Sequence, residues 1–172
     1  MRKMFVVTVA VAVAGFAAVL PTPSIRPGEA LAQDKSDSGF ESTHINYEEW
    51  TKGLIAEVVK VRNPGTLLYL GGIAGEDEGG RTISAKGDFA KQCETVFRKI
   101  KSILAKNGAT MSDIVKQDVF ITDMRYYMDW TKCRAAAYAG GPVPAGAIVG
   151  VTGLAVTDAL VEVEVMAVLP PK

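Results

Sequence analysis

The chain has 172 residues, with 19 lysines and arginines against 19 aspartates and glutamates. That balance excludes the electrostatic footprint of a sequence-independent nucleic-acid binder, which works by neutralising phosphates. One histidine, His44, and two cysteines, Cys93 and Cys133, leave little material for a histidine-based zinc site or a serine–histidine triad.

Met1-Arg2-Lys3 is a short basic start, and Met4 to Leu20 is almost wholly apolar. Pro21, Pro23 and Pro27 then interrupt any helix, and Ala30-Leu31-Ala32 has the small-x-small pattern of a cleavage site. The order predicts a signal peptide over residues 1–32 and export to the periplasm or the cell exterior. The alternative is an uncleaved anchor, because the apolar run sits at the short end of the roughly 17–25 residues that a membrane span needs. Cleavage removes Arg2, Lys3, Arg26 and Glu29, leaving a mildly acidic protein with no stable membrane span.

Residues 33–50 are rich in Ser, Asp, Lys and Gly over most of their length and predict a flexible mature N-terminus, with order beginning near Tyr47 to Trp50. One domain is expected over residues 51–172. Ile55 to Val61 and Leu67 to Gly72 form a candidate hairpin around Asn63-Pro64-Gly65. A charged glycine turn, Glu76 to Arg81, leads to a short extended piece at Thr82 and Ile83.

Asp88 is placed to cap a helix running to Lys106, with Phe89, Cys93, Val96, Ile100, Ile103 and Leu104 at helical spacing. Met111 to Val115 reads as a helical turn and Gln117 to Ile121 as a strand. A second helix is expected over Tyr126 to Ala139, and two closing strands occupy Pro142 to Val168. Two helices and one mixed sheet predict an α+β layer, with the helices on one sheet face. Cys93 and Cys133 fall beside apolar neighbours in the two helices and read as buried thiols; a disulfide is the alternative in an oxidising compartment.

The order and spacing of several segments resemble the RidA (YjgF) family of reactive-intermediate deaminases. They are Gly71-Gly72-Ile73, Asp88 with Gln92, Asn107-Gly108-Ala109, Asp113 to Lys116, Val119 to Met124, Pro144-Ala145 and the Val161 to Ala167 run. The resemblance covers about residues 56–168 and implies a chorismate-mutase-like fold. It also implies a homotrimer with small-molecule clefts between subunits. In the family, arginine of a Pro-Ala-Arg tripeptide grips the substrate carboxylate of an enamine or imine. Water then releases ammonia and a 2-keto acid.

Here the tripeptide is Pro144-Ala145-Gly146, so the guanidinium is missing. Glu162 matches the family's glutamate, which positions water or moves a proton. Leu70, Thr131 and Arg134 fall where the family has a serine or threonine, an asparagine and a tyrosine. Arg134 either restores a cation from helix two or is a solvated arginine on its flank.

The expectation is an exported trimer that binds an imine or keto acid at Gly146, Arg134, Leu70 and Thr131, without standard 2-aminoacrylate deaminase activity and without a metal or cofactor. The alternatives are an imine or enamine deaminase using Glu162 as its catalytic residue, and a structural or protein-holding role. Neither Gly71-Gly72 nor Gly79-Gly80 has the spacing of a nucleotide-phosphate loop.

Overall fold

The structure is a computed structural model that describes residues 39–80 and 82–172. The expected leader lies outside the described residues. Eight principal elements follow in chain order. They are β1 (Glu41–Ile45), β2 (Val58–Arg62), β3 (Leu67–Ala74), α1 (Phe89–Lys106), β4 (Ile114–Ile121), α2 (Tyr127–Tyr138), β5 (Ala145–Gly150) and β6 (Val161–Val168).

Four strands form a mixed sheet in the order β3-β6-β4-β5, and β1 and β2 make a separate antiparallel pair. Only β4 and β5 run parallel, which requires a crossover between them, and α2 is that crossover. Along β6 the side chains of Val161, Val163, Val165 and Ala167 are buried. Glu162 and Glu164 alternate with them on the opposite face. The buried set packs with Phe97, Ile100 and Leu104 of α1 and Trp130 of α2 in one core. The expected α+β architecture, two helices against a mixed sheet, is the one observed.

Asp88 caps α1 as expected, its carboxylate accepting from Lys91 N at 3.1 Å. Gln92 in the first turn is fully buried and acts as a clamp. Its amide donates to Ala85 O and Asp158 O, both at 3.0 Å, and accepts from Leu160 N at 2.8 Å. The loop entering β6 is thereby tied to the helix start.

Three local expectations change. The segments flanking Asn63-Pro64-Gly65 do not pair with one another, since β2 pairs with β1 and β3 pairs with β6. Gly65 N donates to Leu169 O and Leu169 N to Thr66 O, both at 2.9 Å, so the C-terminal end of β6 takes the hydrogen bonds a hairpin would have used. Glu41–Ile45, within the stretch expected to be flexible, is a strand because β2 supplies its ladder. Thr82 and Ile83 form no strand; Ile83 instead packs in a small second cluster with Ala74 and Ala159.

The cysteines are a further correction. Cys93 and Cys133 form a disulfide between α1 and α2, with their Cα atoms 6.4 Å apart. The apolar neighbours that suggested buried thiols are real. They surround the bridge because both positions lie on the contact between the helices.

Candidate functional site

A cavity of about 220 Å³ lies at the β5 edge of the sheet, between β4, β5 and α2. The loop after the 3-10 turn Glu49–Thr51 contributes Trp50, Leu54 and Ile55 to its wall. Thr51 organises this loop, its carbonyl accepting from Leu54 N at 2.9 Å and Ile55 N at 3.0 Å. The Thr51 hydroxyl donates to Glu57 at 2.7 Å, and Ala56 N donates to Pro144 O at 3.2 Å, which fixes the loop against the start of β5. The hydroxyl bond is the main reason the Glu57 carboxyl titrates below its ordinary range.

Arg134 reaches into this wall from α2 and is only 8% exposed. Its guanidinium donates to Leu54 O through Nη1 and to Gly53 O through Nη2, the latter at 3.4 Å. Its Nε–H has no partner. Burial pulls its pKa down, and the groups acting against that are Tyr127 and Tyr138 rather than a carboxylate. Arginine keeps its proton in such surroundings, so a buried cation stands here without an anionic partner among the described residues.

Two other lining residues carry the same kind of deficit. Gln117 accepts from the Tyr138 hydroxyl at 3.3 Å through Oε1, while its Nε2 has no acceptor. Trp130 Nε1 is likewise buried and unpartnered. An unsatisfied buried donor costs about 1–3 kcal/mol. Each of the three atoms is shielded from a water-sized probe, so what the cavity presents is the Arg134 cation, which favours a negative group.

Gly146 lines the same cavity, in register with Gln117. Its φ is 156°, and a Cβ built on it would lie 1.8 Å from Gln117 O. Glycine here is a requirement of the β5 backbone and not only an arginine removed.

The structure therefore brings Gly146 and Arg134 together and adds Gln117, Trp130, Tyr127 and Trp50. Leu70 sits on β3 at the far side of the sheet, opposite Val165, and packs on the core. Thr131 donates to Tyr127 O within its own helix at 3.0 Å and does not line the cavity. Glu162 is opposite Phe120 on the uncovered face, three positions along β6 from the Val165 that pairs with Gln117. That offset is roughly 10 Å along the strand. Gln117 was open to detection in the sequence, as a polar residue in phase with the apolar Val119 and Ile121.

Burial, and then the charges of Glu164 and Glu76, push the Glu162 carboxyl above its ordinary range. Gly72 leaves it room, since a Cβ there would lie 2.3 Å from Glu162 Oε1. A carboxyl that holds its proton more tightly when folded loses stability as pH rises from the unfolded value through the folded one. Glu162→Gln is therefore expected to melt at a higher temperature than the wild type at pH 7 and to lose that advantage near pH 4. Calorimetric scans at both pH values check this, and a variant that melts lower at pH 7 contradicts it.

Residues 54–169 match the family model described as Endoribonuclease L-PSP. A RutC family protein of Pyrococcus abyssi is 31% identical over 115 residues, covering 67% of this chain and 86% of that protein. Mitochondrial protein Mmf1 of Saccharomyces cerevisiae is 34% identical over 83 residues, 48% of this chain and 56% of that protein. The Rid-family protein YyfB of Yersinia pestis superposes with a TM-score of 0.67 at 21% identity, covering 76% of this chain and 98% of that one. That likeness speaks to the fold. RidA from an Antarctic Psychrobacter species gives 0.55 at 30% identity, covering 66% and 87%. The chain belongs to the Endoribonuclease L-PSP family, the RidA/YjgF proteins, and has their fold.

Proposed function

We propose that this protein is an exported, trimeric member of the family that binds a small organic anion and lacks standard 2-aminoacrylate deaminase activity. The observation that carries the reading is Arg134, a cavity-lining guanidinium with no carboxylate partner among the described residues. A ligand carboxylate supplies the missing negative charge. The guanidinium enters from α2, whereas the family resemblance places it on the strand at position 146. A 2-keto acid is the ligand that the family resemblance suggests.

The other parts of the reading rest on separate observations. The Cys93–Cys133 disulfide suits an oxidising compartment and so agrees with the expected signal peptide. Tyr69 and Val149 stand 73% and 42% exposed on the uncovered sheet face, side chains that neighbouring copies in a trimer would cover. Imine hydrolysis is the second reading. It is favoured by the raised Glu162 carboxyl, which suits a proton-transfer group. It requires Glu162 of an adjacent copy to meet the cavity, because Glu162 and Gly146 lie on opposite faces within one chain.

Titration calorimetry with 2-oxobutanoate tests the binding reading. Arg134→Met is expected to weaken binding by about 10- to 100-fold, the worth of a charge-assisted hydrogen bond. Unchanged affinity in a folded Arg134→Met protein contradicts it. Hydrolysis of an oxidase-generated imine by the wild type, abolished in Glu162→Gln, would favour the second reading instead.

A further inference from the structure

The helix layer has an opening of its own, separate from the cavity at the β5 edge. Helices α1 and α2 leave an open groove of about 610 Å³ between them, with Ala90, Phe97, Cys133, Ala136 and Ala137 among its lining residues. The Cys93–Cys133 bridge meets this groove with one sulfur and not the other. Cys133 lines it and is partly exposed, whereas Cys93 does not line it and is 0% exposed in the core cluster with Val96 and Phe97. Cys133 sits in the middle of α2, where the helix shields the backbone, so its exposure belongs to Cβ and Sγ.

Thiol–disulfide exchange turns on that difference. A thiolate must reach the sulfur that it attacks, and the other sulfur of the bridge leaves. The groove carries charges of both signs, Arg98, Lys101 and Lys132 with Glu94 and Asp129. Arg98 is paired with Glu78 at 2.7 Å and Lys132 with Asp129 at 3.8 Å. Little charge is left to select among entering thiols, so a small neutral one suffices.

We propose that Cys133 is the exchange site of this bridge for low-molecular-weight thiols and that Cys93 is its resolving thiol. The entering thiolate bonds to Cys133 Sγ, the Cys93–Cys133 bond breaks, and Cys93 leaves as a thiolate that takes a proton from water. One disulfide replaces another, with no net oxidation. The packing of the two helices holds Cys93 beside the mixed disulfide, which makes the return attack intramolecular. Once deprotonated, Cys93 attacks Cys133 Sγ, expels the thiol and restores the bridge. The bridge thus opens from one side and closes without an added oxidant. The inference is independent of what the cavity at the β5 edge binds.

Brief exposure of the folded, oxidised protein to 2-mercaptoethanol tests this, followed by acid quenching, alkylation and peptide mass spectrometry. The adduct is expected on Cys133 and the alkyl label on Cys93, with the reverse product at least about 10-fold rarer because only the accessible sulfur is attacked. In urea that unfolds the chain, the preference should disappear. When free thiol is removed before quenching, the adduct on the folded protein should revert to the bridge. Cys93→Ala loaded with the same thiol should keep its adduct, and the wild-type mapping stands whether or not that variant folds. Equal adduct on the two cysteines of the folded protein, or adduct mainly on Cys93, overturns the proposal. Exchange that occurs only in unfolding urea overturns it too, and an adduct that persists on the wild type after thiol removal overturns the resolving role.

Discussion

Replacing Cys93 and Cys133 together by alanine is expected to lower the unfolding free energy by about 4 kcal/mol. The bridge joins residues 40 apart in sequence, and the chain-entropy relation for a loop of that length gives about this value at 25 °C. The native structure has little to offset the loss. Helix α2 buries one narrow face, Trp130, Arg134, Ala137 and Tyr138, and a charged residue, Arg134, interrupts its apolar surface. Besides the packing of Ala137 and Tyr138 on the core, it is held by the disulfide, the Phe97–Trp130 stack at 5.5 Å, the Phe97–Tyr138 edge contact at 6.1 Å and the Arg134 bonds to the Gly53–Leu54 carbonyls. Urea unfolding followed with and without a thiol reductant measures the effect in the wild-type chain. The reduced protein should unfold at clearly lower urea, and each single cysteine variant should match the reduced wild type. Coincident oxidised and reduced curves would show that the helices dock without the bridge.

That result bears on function because α2 carries three of the cavity residues, Tyr127, Trp130 and Arg134. Cys133 lies between Trp130 and Arg134 along the helix, so the bridge to α1 fixes the rotation that turns both toward β4. Loosening the helix is expected to weaken ligand binding in parallel with stability. Calorimetry with 2-oxobutanoate under reducing conditions reads this directly.

The parts of the fold that were legible in the sequence are those whose signals are local. Asp88 followed by apolar positions at three and four residue intervals reports a capped helix, because capping and burial act within one or two turns. The alternation of valine and glutamate in β6 reports its two faces for the same reason. Pairing was less legible. Asn63-Pro64-Gly65 has the composition of a hairpin turn, yet the backbone groups around it are used by Leu169, over a hundred residues away. The disulfide belongs to the same class. Periodicity gives the face of each helix separately, but the 6.4 Å approach of Cys93 and Cys133 comes from how two faces meet.

The candidate site divides along the same line. Arg134 could be named from the sequence as a possible replacement cation, but its burial depends on the loop at Gly53 and Leu54, some 80 residues earlier. Trp130 is a helical aromatic of the kind that packs in cores, and it is 1% exposed. Its unpartnered indole N–H follows only from the positions of all the acceptors around it.

Gly146→Arg, the substitution that rebuilds the family's Pro-Ala-Arg tripeptide, is expected to destabilise the protein by about 3 kcal/mol or more and not to improve carboxylate binding. The obstacle is the first side-chain atom. A Cβ on this backbone would sit 1.8 Å from Gln117 O and 2.6 Å from Gln117 C, and neither atom can swing aside as a flexible side chain would. Relief requires β5 to move from β4, which disturbs the parallel register from Lys116–Ala145 to Ile121–Gly150. Strand β5 is at the sheet edge, so it has no second neighbour to hold it in place.

Gly146→Ala isolates the cause, because it adds the Cβ without charge or length. Its denaturation midpoint should fall nearly as far as that of Gly146→Arg. If Gly146→Ala were neutral and Gly146→Arg gained affinity for 2-oxobutanoate, the strand would be more accommodating than its geometry indicates. The expected joint loss has a specific consequence for how this cleft diverged. Recovering the strand arginine would require a different β5 backbone as well as a different residue. Arg134 would then compete for the same volume from the helix side. A cation on α2 and a glycine at position 146 are thus two halves of one arrangement, and neither reverts alone.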